Sequence, residues 1–309
     1  MRNAFAATIT ELAAADERVV LLSGDIGNRL FDRYRERFPS RFYNCGVAEA
    51  NMTGMAAGLA LSGLRPFTYT ITPFATTRVI EQIRIDICYH DVPVVIVGTG
   101  SGLSYASLGP THHSCEDVGL LRCFPNLTVL CPADAMEVAP AMRAALSLSG
   151  PVYIRLGKKG EPIIHEQPPV IEIGRGLVMR EGSDVCLLGM GTMTATALEA
   201  ADQLQKQDIS SRVVSMHTVK PLDTRLLQDS FDRFQVVAVI EEHSVIGGLG
   251  SAVAEWRAAR GPLRGVLEAI GTPDAFISLA GSQQWMRRQC GLTPEAIAER
   301  IARRFRAVR

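Results

Sequence analysis

Aromatic side chains are scarce, at 6% of the 309 residues, and charge of neither sign prevails, with 32 Lys plus Arg against 32 Asp plus Glu. A balanced surface has no general basic field to draw nucleic acid and no acidic tail to keep a segment disordered. The cysteines (Cys45, Cys88, Cys115, Cys123, Cys131, Cys186 and Cys290) contain no CxxC pair and no regular spacing. That excludes a zinc ribbon or a disulfide framework, and they read as buried thiols in a reducing, cytoplasmic compartment. Long apolar runs are also missing: the strongest, Val92 to Val97, falls far short of the roughly 20 residues a membrane helix needs. The N-terminus, MRNAFAATITELA, lacks a basic stretch before an apolar one and reads as an amphipathic helix with Phe5, Ile9 and Leu12 on one face, not as a leader. Neither nucleic acid nor a membrane is an expected partner.

What the chain does have is length for two domains and an alternation of short apolar strands with helices. VVLLSGD, FYNCG, RPFTYTI, VPVVIVGTG, LTVLCP and PVYIRL read as strands, with FATTRVIEQIRIDICYH as one long helix among those between them. The Pro-rich stretch from Gly157 to Val170 has no clean period, which places one domain at 1–160, a linker at 161–170 and a second domain at 171–309. The second repeats the pattern, with DVCLLGMG, RVVSMHTVK, QVVAVIEEH and GVLEAIG as strands and a last helix, PEAIAERIARRF. The expected fold class is α/β: two domains, each a mostly parallel sheet flanked by helices.

Several features invite over-reading. GTGSG and GMGT end strands, but neither completes GxGxxG nor has an acid at the next strand end, so both read as tight turns. The adjacent histidines of GPTHH lack a spaced third ligand, so no metal is assigned to this chain; a histidine facing substrate from a long loop fits better. Glu49 opens an otherwise apolar, small-residue helix, AEANMTGMAAGLALSG. It is either a charge at a helix N-terminus or a buried functional acid. Close packing of such a helix against another subunit would take Glu49 out of water, the setting an acid needs to share a proton with a weak ring base.

CGVAEANM, FATTRVIEQIR, GPTHH, PNLTVLCPAD and GPVYIRLGK, in this order and spacing, resemble the pyrimidine-binding domain of transketolases. HTVKPLD and EEHSVIGGLGSAV are similar to the C-terminal domain of the same enzymes, so the likeness runs from Arg2 to about Phe305. The family's GDG segment with a downstream Asn, which binds magnesium and diphosphate, is missing. The chain therefore resembles the C-terminal subunit of a split, two-chain transketolase.

That resemblance implies a cofactor, thiamine diphosphate, with Mg2+ or another divalent ion held by a partner, an N-terminal transketolase subunit carrying the diphosphate-binding domain. It implies Glu49 as the carboxylate that hydrogen-bonds the coenzyme's pyrimidine nitrogen and so activates it. Phe74 matches the aromatic that stacks on the aminopyrimidine. Ile71 stands where a second Phe is usual, and Thr77 where full-length enzymes have Tyr. Asp25 matches an aspartate of the cofactor-facing loop, with a turn cap as its alternative. His112 matches the histidine that faces the substrate carbonyl or hydroxyl. His113 reads as structural, and His243 with the glycines of IGGLG reads as a turn and subunit contact.

Departures from the family bear on substrate. Leu108 replaces the Asp before GPTH that binds a sugar hydroxyl, and Gly100 replaces a His, which puts the usual pentose phosphates in doubt. Lys158 stands in place of a phosphate-binding Arg and Arg2 aligns with another, keeping an anionic substrate end in view. The expected activity is transfer of a two-carbon ketol or related acyl unit from a ketose or 2-oxoacid, within an α2β2 assembly and with self-association through the small-residue helices. The alternatives are the beta subunit of a 2-oxoacid dehydrogenase and a non-catalytic partner retaining the fold.

Overall fold

The computed structural model describes residues 1–26 and 29–309. They form two compact units, Met1–Ser101 with Leu120–Glu172, and Gly102–Gly119 with Ile173–Arg309.

In the first unit the apolar runs form β1 (Val19–Ser23), β2 (Phe42–Asn44), β3 (Arg65–Ile71), β4 (Val95–Thr99), β5 (Thr128–Leu130) and β6 (Val152–Leu156). They lie in the order β5-β6-β4-β3-β1-β2, every pair parallel. β1, β4 and β6 are buried at every position, as strands covered on both faces must be, which is why they lack an apolar-polar alternation. Because all run one way, their carboxyl ends share one edge, where loops gather side chains that have no structural task in the sheet. The helix Arg2–Ala15 buries Phe5, Ile9 and Leu12, and the Phe5 ring stacks on Tyr69 with centroids 5.0 Å apart.

The helix Glu49–Leu61 buries Glu49, Met52, Thr53, Ala56, Ala57 and Ala60, the spacing of one helical face. It ends where Gly63 takes φ +92°, a left-handed turn that glycine makes without a Cβ penalty. The long helix expected from FATTRVIEQIRIDICYH is instead broken into Thr72–Ala75, a tight turn at Thr77–Val79, Ile80–Gln82 and a π-helix at Ile83–Tyr89. β-branched residues dominate this stretch and disfavour a regular helix. Thr76 also donates its hydroxyl to the Thr72 carbonyl at 2.7 Å, and the wide last turns carry Ile83, Ile87 and Cys88 into the core.

The second unit contains β7 (Leu177–Arg180), β8 (Val185–Gly189), β9 (Ser211–Ser215), β10 (Thr218–Lys220), β11 (Val236–Ser244) and β12 (Val266–Thr272). Its five-stranded sheet has the order β12-β11-β8-β9-β7 and is parallel except at β7. The helices Met193–Gln205 and Pro294–Val308 supply Met193, Leu204, Ile297 and Ile301 to its core. Both sheets are thus mostly parallel and flanked by helices, as the alternation implies. The details differ: RVVSMHTVK is divided between β9 and β10, and the edge strand β7 and the helices Thr224–Arg233 and Gln283–Gln289 join the elements read from sequence. Cys88, Cys115, Cys131 and Cys186 are buried, but Cys45 and Cys290 are only partly so and Cys123 is exposed, which corrects the reading of all seven as buried thiols.

Asp134 pins the segment after β6. It caps the helix Ala135–Ser147 by accepting from Met136 and Glu137 amides, and it also accepts from the Ile164 amide at 2.8 Å and lies 3.0 Å from His165 Nδ1. Burial works against its charge, but the Ile164 amide, the His165 ring and the Glu137 amide outweigh burial and hold the carboxyl below the ordinary Asp range. A folded value below the unfolded one means that the stabilisation is complete above the unfolded value and fades as pH falls through the folded one. Asp134→Asn should therefore lower stability at pH 7 by about 1–3 kcal/mol and flatten the acid side of the stability curve, measured as urea midpoints between pH 7 and pH 3.

Candidate active site

In the first unit, the candidate residues follow the sheet edge. Asp25 follows β1, Glu49 heads the helix after β2, Ile71 closes β3 with Phe74 in the turn beyond, and Lys158 follows β6. Arg2 opens the helix that leads back into β1. The Asp25 amide donates to the Gly46 carbonyl at 2.9 Å and the Cys45 amide to Ser23, so the loop after β1 is tied to the segment that delivers Glu49. Asn44 Nδ2 approaches Asp25 Oδ1 at 3.4 Å, and Asp25 lines an open cleft of about 370 Å³ with Arg29, Arg35 and Asn44.

Glu49 is only 6% exposed. Its place on the buried stripe of its helix explains this: the position that starts the helix also faces inward. Arg78 Nη1 donates to Glu49 Oε2 at 3.1 Å, and the Arg78 side chain is itself 47% exposed. The same guanidinium lies over the Phe74 ring, 3.9 Å from its centroid. A buried carboxylate and a half-buried aromatic face thus meet at one flat cation. Phe74 lies on the short helix Thr72–Ala75 and Arg78 in the turn Thr77–Val79 beyond the break at Thr76; Arg78 was not among the expected site residues, and only its closeness in sequence to Phe74 could have marked it.

Lys158 is partly buried, and burial, then the positive charges of Arg2 and Lys159, push it below the ordinary lysine range. The structure therefore brings Arg2 and Lys158 into electrostatic reach, and buried Arg2 Nε has no protein hydrogen-bond partner.

In the second unit, the loop Gly102–Gly119 carries GPTHH. Leu108 ends the turn Ala106–Leu108 and is 52% exposed. Gly109 turns the chain at φ +75°, and its carbonyl accepts from the His112 amide at 3.0 Å. The His112 ring is partly exposed, with Thr111 Oγ1 3.0 Å from Nδ1 and the Tyr105 ring 5.9 Å away. His113 is buried, and burial moves it below the ordinary histidine range, toward the neutral ring.

Of three consecutive polar residues at the end of β11, Glu241 caps a helix and Glu242 and His243 hold this loop. Glu241 accepts from the Leu249 and Gly250 amides at 2.8 and 2.9 Å, placing its charge at the N-terminus of the helix Leu249–Ala258. Glu242 accepts from the Leu103 amide at 2.6 Å, from Gln283 Nε2 at 2.9 Å and from Arg287 Nε. His243 Nε2 accepts from the Gly119 amide at 3.1 Å, which ties the end of the loop to β11 within the chain. Gly102 must lack a side chain, since a Cβ there would lie 2.5 Å from Glu242 Oε1. Among the described residues no group of three or more His, Cys, Asp or Glu is placed to hold a metal. Glu242→Ala would leave Arg287 and the Leu103 amide without their buried acceptor; we expect a loss of about 3–5 kcal/mol, read as a lower urea midpoint, with cleavage by trypsin at Arg287 accelerated.

Comparison with known proteins identifies the family of the chain. The family model described as transketolase, pyrimidine binding domain, matches residues 1–161, and that described as transketolase, C-terminal domain, matches residues 174–297. A putative transketolase C-terminal section from Methanocaldococcus jannaschii is 37% identical over 97% of this chain and 95% of its own length. The 6-deoxy-6-sulfo-D-fructose transketolase subunit SqwH of a Clostridium strain is 37% identical over 96% of this chain and 92% of its own. A solved split-gene transketolase, described as an inactive beta4 tetramer, superposes with a TM-score of 0.92 at 38% identity, covering 100% of this chain and 99% of that one. These similarities favour the transketolase reading over a 2-oxoacid dehydrogenase beta subunit: the chain belongs to the transketolase family, as a subunit built from its pyrimidine-binding and C-terminal domains.

Proposed function

We propose that this chain is the pyrimidine-side subunit of a two-chain, thiamine diphosphate-dependent enzyme that transfers a two-carbon ketol unit. The observation that carries the reading is the buried Glu49 carboxylate facing a flat cation stacked on Phe74. A protonated aminopyrimidine is also flat and also offers an N–H to a carboxylate, so the residues present fit that ring. When bound, thiamine diphosphate supplies the carbon nucleophile that takes up the ketol fragment.

Glu49 holds the proton at the pyrimidine ring nitrogen, and its burial strengthens that hydrogen bond. Phe74 offers the ring a flat face of favourable stacking geometry, and Ile71 adds aliphatic contact and excludes water. Asp25 orders the cofactor-facing loop through its links to Asn44 and Gly46. His112 donates to the substrate oxygen that gains charge in the transfer, on a loop whose position Glu242 and His243 fix. Arg2 and Lys158 receive an anionic end of the substrate. The relative from the Clostridium strain is named for a sulfonated ketose, which supports an anionic donor, and Leu108 in place of a hydroxyl-binding carboxylate supports a donor other than the common pentose phosphates.

The diphosphate and its divalent ion, Mg2+ or a similar cation, belong to an N-terminal transketolase subunit in this reading. Beta subunits associate with one another, and with that partner they complete an α2β2 enzyme in the cytoplasm; the inactive beta-only tetramer of the solved relative supports inactivity of the chain alone. Co-purification with the partner, followed by a donor screen of hydroxypyruvate, pyruvate and sulfonated or phosphorylated ketoses, tests the assignment. Glu49→Gln should leave coenzyme bound while lowering turnover about 10²- to 10⁴-fold, and near-normal turnover would refute its role. Lys158→Ala should raise KM for an anionic ketose about 10-fold or more and leave that for an uncharged ketose unchanged. Turnover of a 2-oxoacid with a lipoyl acceptor, and none of any ketose, would favour the dehydrogenase reading.

A further inference from the structure

Arg78 stands apart from the residues that the proposed chemistry uses. It is half exposed, yet it holds two buried or partly buried groups at once, the Glu49 carboxylate at 3.1 Å and the Phe74 ring at 3.9 Å from the centroid. A buried carboxylate needs some donor, but not a flat cation that also covers an aromatic ring, and an ion pair with one exposed partner adds little to folding. A guanidinium shares with a protonated aminopyrimidine a planar delocalised cation, N–H groups in the plane and a face that stacks on aromatics. Arg78 therefore makes, within the chain, the contacts that a ring bound between Phe74 and Glu49 would make.

Resting on the coenzyme reading of this site, we propose that Arg78 is a built-in occupant of the aminopyrimidine seat, displaced when the coenzyme ring enters. Arg78 binds one carboxylate oxygen, Oε2, while it covers the Phe74 ring, so a ring seated between Phe74 and Glu49 needs the place that Arg78 fills. The cation also gives the buried Glu49 a partner in the free subunit, where an unpaired charge would be costly. Its exposed position lets it swing away without disturbing the core. Binding is then reduced by the fraction of time that the seat is blocked, because only the open state accepts the ring.

The test compares thiamine diphosphate binding to the complex of this chain with its diphosphate-binding partner, by calorimetry and stopped-flow fluorescence, for the wild type, Arg78→Ala and Arg78→Lys. Removing the occupant should lower Kd about 3- to 10-fold and raise the association rate, with Arg78→Lys nearer to Arg78→Ala than to the wild type because an ammonium cannot stack as a plane. Weaker binding by Arg78→Ala would make Arg78 a ligand of the coenzyme and overturn the proposal, as would an unchanged Kd and rate. Thermal melting of each variant alone separates these outcomes from misfolding, and failure of all three complexes, the wild type included, to bind the coenzyme would refute the coenzyme reading itself and this inference with it.

Discussion

Glu49 is a carboxylate taken almost wholly out of water, and a charge so placed must find a donor or give up its charge. The surrounding elements can be understood from that demand. The helix Glu49–Leu61 turns its buried stripe inward from its first residue. The loop after β1 is stitched to the segment before Glu49 through Asp25 and Gly46, and the break after β3 supplies an aromatic ring and a cation at the carboxylate. A parallel sheet makes this convergence possible because its carboxyl ends open on one side.

The second residue of the proposed chemistry, His112, is positioned on a different principle. Its loop is long and polar, and such a segment needs buried acceptors and donors from elsewhere to take one conformation. Glu242 and His243 provide them by placing charge and lone pairs at backbone amides of Leu103 and Gly119, while Gly102 allows the backbone to approach the Glu242 side chain. The substrate contact proposed for His112 thus depends on β11 as well as on the loop's own sequence.

How much of this could be read beforehand differs from residue to residue. The inward face of Glu49 is written in the spacing of Met52, Thr53, Ala56, Ala57 and Ala60, and the apolar runs of β1, β4 and β6 announce strands covered on both sides. The broken helix after β3 was not legible, because its apolar spacing suits a helix while its β-branched residues and the Thr76 hydroxyl act against one. The role of Glu242 was hidden for another reason: its donors, Leu103 and Gln283, lie 139 and 41 residues away, and no local pattern reports a hydrogen bond over such separations. Arg78 lay in plain view four residues after Phe74, but its meaning needed the Glu49 carboxylate to be placed beside both.

The central claim is that Glu49 activates a coenzyme delivered by a partner chain. Its most direct measurement is the rate of deuterium exchange at the thiazolium carbon of thiamine diphosphate in the assembled enzyme, followed by quenched-flow NMR with and without Glu49→Gln. The account predicts exchange accelerated by orders of magnitude in the complex of the two wild-type chains, and a return toward the free-coenzyme rate when the substituted chain replaces this one. Exchange that remains fast with the substituted chain would contradict it.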